Sequence, residues 1–121
     1  MIPMMWLVTL VALNGTVDVD ATIIETFDMI ETNVEYEFNW KPQSMVRFEY
    51  FRSGDCTEAA KFVQVKMLKY GVRVDKVYGH ADCWNGTGYE RMLHDWVEWN
   101  NTAYDVRGWG DCKNYRGIRT R

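Results

Sequence analysis

The stretch Ser53-Gly54-Asp55-Cys56-Thr57-Glu58-Ala59-Ala60 constrains the fold more than any other, because it feeds a cysteine into the first turn of a helix. From there Ala60, Val63, Met67 and Tyr70 share one face, Lys61, Lys66 and Lys69 stay outside, and Gly71 stops the helix. A helix start leaves backbone N–H groups unpaired and carries the positive end of the macrodipole. A thiol placed there has its thiolate favoured and an anion cradle beside it. Taken alone, Cys56 reads first as a small buried apolar residue, the more frequent fate of a single cysteine, and the turn by itself does not outweigh that.

Around this helix the chain reads as one domain over 1–121, long enough for a real hydrophobic core. The apolar opening 1–13 is shorter than the roughly 20 residues that cross a bilayer. It also lacks the Lys or Arg that precedes a signal segment, so export and burial as an N-terminal element are equally open, and no stable membrane insertion is expected. Asp18 or Asp20 can cap a helix in which Ile23, Phe27, Ile30 and Val34 recur at helical spacing, with Glu25, Asp28 and Glu31 on the wet side. Val34, Tyr36 and Phe38 alternate with acids as a short extended segment before Asn39-Trp40-Lys41-Pro42 turns the chain, and 45–51 fits a strand or a short helix.

Beyond Gly71, residues 72–78 read as a strand ending at Gly79, 80–89 as a polar loop and 92–99 as a second strand. Asn100-Asn101 then opens a hairpin to a third strand at 102–106. The expected fold class is α+β: N-terminal helices, with the cysteine at a helix start, packed on a small antiparallel sheet. Six Trp and seven Tyr suit such a core or a substrate groove. A net charge of −3 gives no nucleic-acid surface, and the basic excess within 107–121 reads as a solvated tail. Three cysteines leave at least one unpaired within the chain. In an exported protein Cys83 with Cys112 is the natural disulfide; in the cytosol all three would be thiols.

Hairpin geometry adds chemistry to this outline. With a two-residue turn, Trp99 faces Thr102, Trp96 faces Asp105 and His94 faces Arg107, which makes His94 and Asp105 diagonal neighbours on one face. Diagonal pairs lie roughly 7 to 8 Å apart at the backbone, near enough for a carboxylate to accept from an imidazole N–H. One ring nitrogen is then held by Asp105 while the other points outward at a thiol. Nucleophile, proton-transferring base and a group that fixes the base's tautomer are what acyl transfer requires.

In order, Gly54-Asp55-Cys56 opening a helix, Tyr70-Gly71-Val72 leading to a strand, His94-Asp95-Trp96-Val97-Glu98, and Tyr104-Asp105 resemble the core motif of the transglutaminase-like superfamily, over 47–108. The resemblance implies a papain-like cysteine fold with Cys56 as nucleophile, His94 as general base and acid, and Asp105 as the orienting acid. It implies attack on an amide of a peptide or protein substrate through a thioester, with no cofactor and no metal. The hairpin is short for the cross-linking members, so hydrolysis of the peptidase, amidase or endoisopeptidase kind is expected, with acyl transfer to an amine as the alternative. The Cys56 N–H is one expected oxyanion donor. Trp40, Gln43 and Tyr50 are candidates for the second, and Trp96 is a further candidate for contact with substrate or oxyanion.

Two other readings compete. His80-x-x-Cys83 has the spacing of half a zinc site that Cys112 with Asp82 or Asp111 would complete, although a structural site normally shows two such couples. A non-catalytic domain holding peptide or glycan in an aromatic groove is the other. No Gly-rich phosphate loop or dinucleotide fingerprint is present.

Overall fold

Helix α1 (Val19–Asn33) begins where the Asp18 carboxylate accepts from the Ala21 N–H at 3.1 Å, so of the two possible caps Asp18 is the one used. Asp20 instead accepts from the Tyr104 hydroxyl, fastening the helix to the sheet. The computed structural model describes residues 17–37 and 53–120. Ile23, Phe27, Ile30 and Val34 are buried while Glu25 and Asp28 are exposed, as the helical spacing expects. The extended segment after α1 is β1 (Glu35–Tyr36), which pairs in parallel with β2 (Ser53–Gly54), Tyr36 opposite Gly54. Phe38 and 45–51 lie outside the described residues.

Helix α2 (Cys56–Lys69) has a reciprocal cap: Asp55 accepts from the first-turn N–H groups, and the Glu58 carboxylate accepts from the Asp55 N–H at 3.0 Å. At its far end the Val72 N–H donates to the Met67 carbonyl and the Gly71 N–H to Leu68, with Gly71 at φ +79°. This double bond pattern needs the left-handed residue that glycine supplies. Ala60, Val63 and Met67 form the buried face, but Tyr70 is the C-cap and is exposed. Both helices contribute to one core with Val74, Val97, Tyr104 and Val106.

Strands β3 (Asp75–Trp84), β4 (Tyr89–Trp99), β5 (Thr102–Tyr104) and β6 (Cys112–Thr120) form an antiparallel sheet in the order β5-β4-β3-β6. The strand expected at 72–78 thus starts later and runs through Gly79, and the expected loop at 80–89 is mostly strand. The true turn is tighter, with the Asn85 side chain accepting from the Thr87 and Gly88 N–H groups. The third strand is shorter than 102–106, ending at Tyr104. The supposed basic tail is also corrected: most of it is β6, paired to β3, with the Arg119 guanidinium on Glu98 at 2.6 Å and Asp75 at 3.5 Å.

Gly79 does not end a strand; it admits one. A Cβ there would lie 2.0 Å from the Arg116 backbone oxygen, where β6 passes closest at Gly117. Because backbone cannot move aside as a side chain can, Gly79→Ala is expected to destabilise the fold by about 3 kcal/mol, read from the urea midpoint. A loss below about 1 kcal/mol would show that the β3–β6 approach is looser than this. Among the described residues, no helix is long and apolar enough to cross a membrane.

Candidate functional site

Capping fixes where the Cys56 sulfur sits. Cys56 is the first helical residue, and the flanking carboxylates Asp55 and Glu58 are buried, which locks the turn's geometry. One residue on, the Thr57 hydroxyl donates to Asp95 Oδ2 at 2.6 Å, and Lys76 Nζ holds the other Asp95 oxygen at 3.0 Å. The helix start is therefore tied to β4 at the residue next to His94.

The register Trp99↔Thr102 and Val97↔Tyr104 is that of the two-residue hairpin, and Asn100 and Asn101 both take the positive φ such a turn demands. Continuing it brings Asp105 Oδ2 to 2.5 Å from His94 Nε2. Asp105 also accepts from the Tyr115 hydroxyl at 3.1 Å and the Val106 N–H at 2.8 Å. The His94 ring stacks with Trp96 at 6.1 Å and Tyr115 at 6.5 Å between centroids. With Nε2 taken by Asp105, Nδ1 is the nitrogen left for Cys56, which lines the same cavity and whose charge acts on the ring. Burial alone would lower the His94 pKa, but the hydrogen bonds to Asp105 and Cys56 and their negative charge outweigh it, pushing it up to about 10.

That shift has a stability consequence. A histidine whose folded pKa lies above its unfolded value of about 6.5 contributes stability fully below that pH and loses it as pH rises toward 10. The unfolding free energy of the protein should therefore fall relative to that of His94→Gln between pH 6 and 10, by an amount on the order of a few kcal/mol. Parallel denaturation curves for the two proteins at both pH values provide the check; an unchanged difference would contradict it.

Cys56, His94 and Asp105 all line one cavity of about 210 Å³, together with Tyr36, Trp109 and the disulfide Cys83–Cys112. The cysteine pairing is thus the one expected for an exported chain, leaving Cys56 as the free thiol. Tyr36 packs on Trp109 at 5.1 Å between ring centroids. Burial, then the charges of Cys56, Asp55 and Asp105, push its pKa up to about 12, so the phenol is an O–H donor at neutral pH. A larger cavity of about 350 Å³ behind Asp105 includes neither Cys56 nor His94 in its lining.

Other expected site residues fall elsewhere. Trp96 is fully buried and its indole N–H donates to Glu98 at 2.9 Å, so it supports the His94 ring rather than facing substrate or oxyanion. Trp40, Gln43 and Tyr50 lie outside the described residues. The His80-x-x-Cys83 couple does not converge: strand alternation sends His80 to an exposed surface with Arg91 and Arg116, while Cys83 is buried in its disulfide. Asp82 instead accepts from Asn114, and Asp111 from Tyr89. Reading the sequence alone passes over Tyr36 and Tyr115. The first is placed by parallel pairing to β2, and the second lies in the stretch read as a tail.

The arrangement can place an imidazolium beside a sulfur at a helix tip, with a carboxylate behind the ring and an open space in front. No protein-family model matches this chain, and comparison with curated proteins gives no significant match.

Proposed function

We propose that this protein is a cysteine-dependent amide hydrolase of transglutaminase-like type, acting on a peptide or protein through a thioester acyl-enzyme. The observation that carries the reading is His94, held by Asp105 at 2.5 Å, on a cavity whose wall it shares with the free thiol of Cys56. In this reading the Cys56 thiolate, with the His94 imidazolium beside it, attacks the amide carbonyl carbon. The oxyanion so formed is met by the Cys56 N–H at the helix start and by the Tyr36 hydroxyl.

His94 then gives its proton to the departing amine, and the carbon–nitrogen bond breaks to leave a thioester on Cys56. Now neutral, His94 takes a proton from water as the water attacks the thioester, and Cys56 leaves as thiolate. Asp105 keeps the ring in one tautomer throughout, with Tyr115 and the Val106 N–H fixing the carboxylate. An amine in place of the water would make the same steps an acyl transfer.

The test is an acid quench of the protein with an activated ester or anilide, followed by peptide mapping. An acyl group on Cys56, released by hydroxylamine, supports the reading. An acyl group on another residue, or turnover undiminished after selective alkylation of Cys56, would overturn it.

A further inference from the structure

The disulfide borders the same cavity as His94, and its two sulfurs and a ring nitrogen all lie within 4.8 Å of one another. We propose that reduction of Cys83–Cys112 converts this wall of the cavity into a Zn²⁺ site, with both sulfurs and His94 Nδ1 as ligands, so that the imidazole is withdrawn from Cys56.

Tetrahedral zinc, with bonds of about 2.3 Å to sulfur and 2.0 Å to nitrogen, needs its ligand atoms about 3.6 to 3.8 Å apart. The three atoms are already within side-chain adjustment of that spacing. Their backbones hold them there without the S–S bond, because Cys83 and Cys112 are register partners across the β3–β6 ladder, and β3 also pairs Gly79 with His94. The donor chemistry fits as well. Two thiolates balance the dication's charge, and imidazole is a common third ligand.

The partner of His94 fits a metal ligand as well as it fits a catalytic base. Ligating histidines commonly give their other ring N–H to a carboxylate, which fixes the tautomer and raises the ligand's basicity. Asp105 stands in that place on Nε2 at 2.5 Å, leaving Nδ1 for the metal. All three residues line the cavity, so a metal held by them would border it.

The chemistry balances with a dithiol reductant. It supplies two electrons and two protons, becoming a disulfide itself, and the Cys83–Cys112 bond opens to two thiols; Zn²⁺ then displaces both thiol protons and the proton on His94 Nδ1, which passes to the Cys56 thiolate as the ring leaves it. Cys112 is the partly exposed sulfur and Cys83 the buried one, so attack falls on Cys112. Oxidised, the pair leaves His94 to Cys56. Reduced in the presence of zinc, it takes His94 away, a consequence for activity that rests on the hydrolase reading whereas the metal site does not.

Cobalt(II), a spectroscopic stand-in for zinc, tests the site on the full chain with and without a phosphine reductant. One equivalent should bind only after reduction, with a thiolate-to-cobalt charge-transfer band. Cys112→Ser should abolish that band, and His94→Ala should weaken binding about tenfold or more. Uptake equal before and after reduction, uptake indifferent to Cys112→Ser, or loss of the native circular dichroism on reduction would each overturn the site. An inert protein that binds cobalt as described refutes the hydrolase reading alone. An active protein whose reduced form takes up no metal refutes the zinc site alone.

Discussion

Cys56→Ala is expected to bring amide or ester turnover down to background, a loss of about four orders of magnitude or more, while leaving the fold in place. The two halves of that expectation have separate causes. Activity goes because no other described cysteine is a free thiol, the remaining two being joined as Cys83–Cys112. Stability stays because Cys56 is only partly buried and lies outside the hydrophobic core, and alanine is at least as good a helix former. Asp55 and Glu58 still cap α2, so the denaturation midpoint should move by less than about 1 kcal/mol in free energy. Steady-state turnover and urea unfolding on the same preparation check both halves. Residual turnover within tenfold of the original would remove Cys56 from the mechanism.

The second large effect is expected at Asp105→Asn, with a fall in kcat of about a hundred- to ten-thousand-fold. Asp105 accepts from three groups at once: His94 Nε2, the Tyr115 hydroxyl and the Val106 N–H. An amide has one accepting oxygen and a donating nitrogen, so it cannot serve all three. If the amide N–H₂ meets Nε2, the imidazole must carry its proton on Nδ1 and can no longer take one at the sulfur side. If the amide oxygen keeps Nε2, a partly buried donor loses its partner, at a cost of about 1–3 kcal/mol to the fold. Turnover within threefold of the original protein, with stability unchanged, would show that Asp105 does not position the ring.

Local features carried much of this architecture, and the failures have a common physical root. The hairpin at Asn100-Asn101 fixes its own register over a few residues, so the approach of His94 to Asp105 followed from counting alone. The same is true of α2, whose start and stop are written in Asp55 and Gly71. Nothing local within 107–121 announces β6, because its ladder is backbone pairing to a distant strand. Its arginines find Glu98 and Asp75 only once the sheet has formed. Glycine commonly marks a strand end, whereas Gly79 permits a close approach to Arg116 and Gly117 that no local pattern reveals. Tyr115 comes with β6, and Tyr36 enters the cavity through a parallel pairing with Gly54 in β2, 18 residues further along the chain.

The central claim is that His94 activates the Cys56 sulfur, and the rate of iodoacetamide labelling at neutral pH, mapped by peptide for the protein and for His94→Ala, tests it most directly. The account predicts labelling at Cys56, slowed about tenfold or more when the imidazole is removed. Equal rates in the two proteins, or labelling at Cys83 or Cys112 with Cys56 inert, would contradict it.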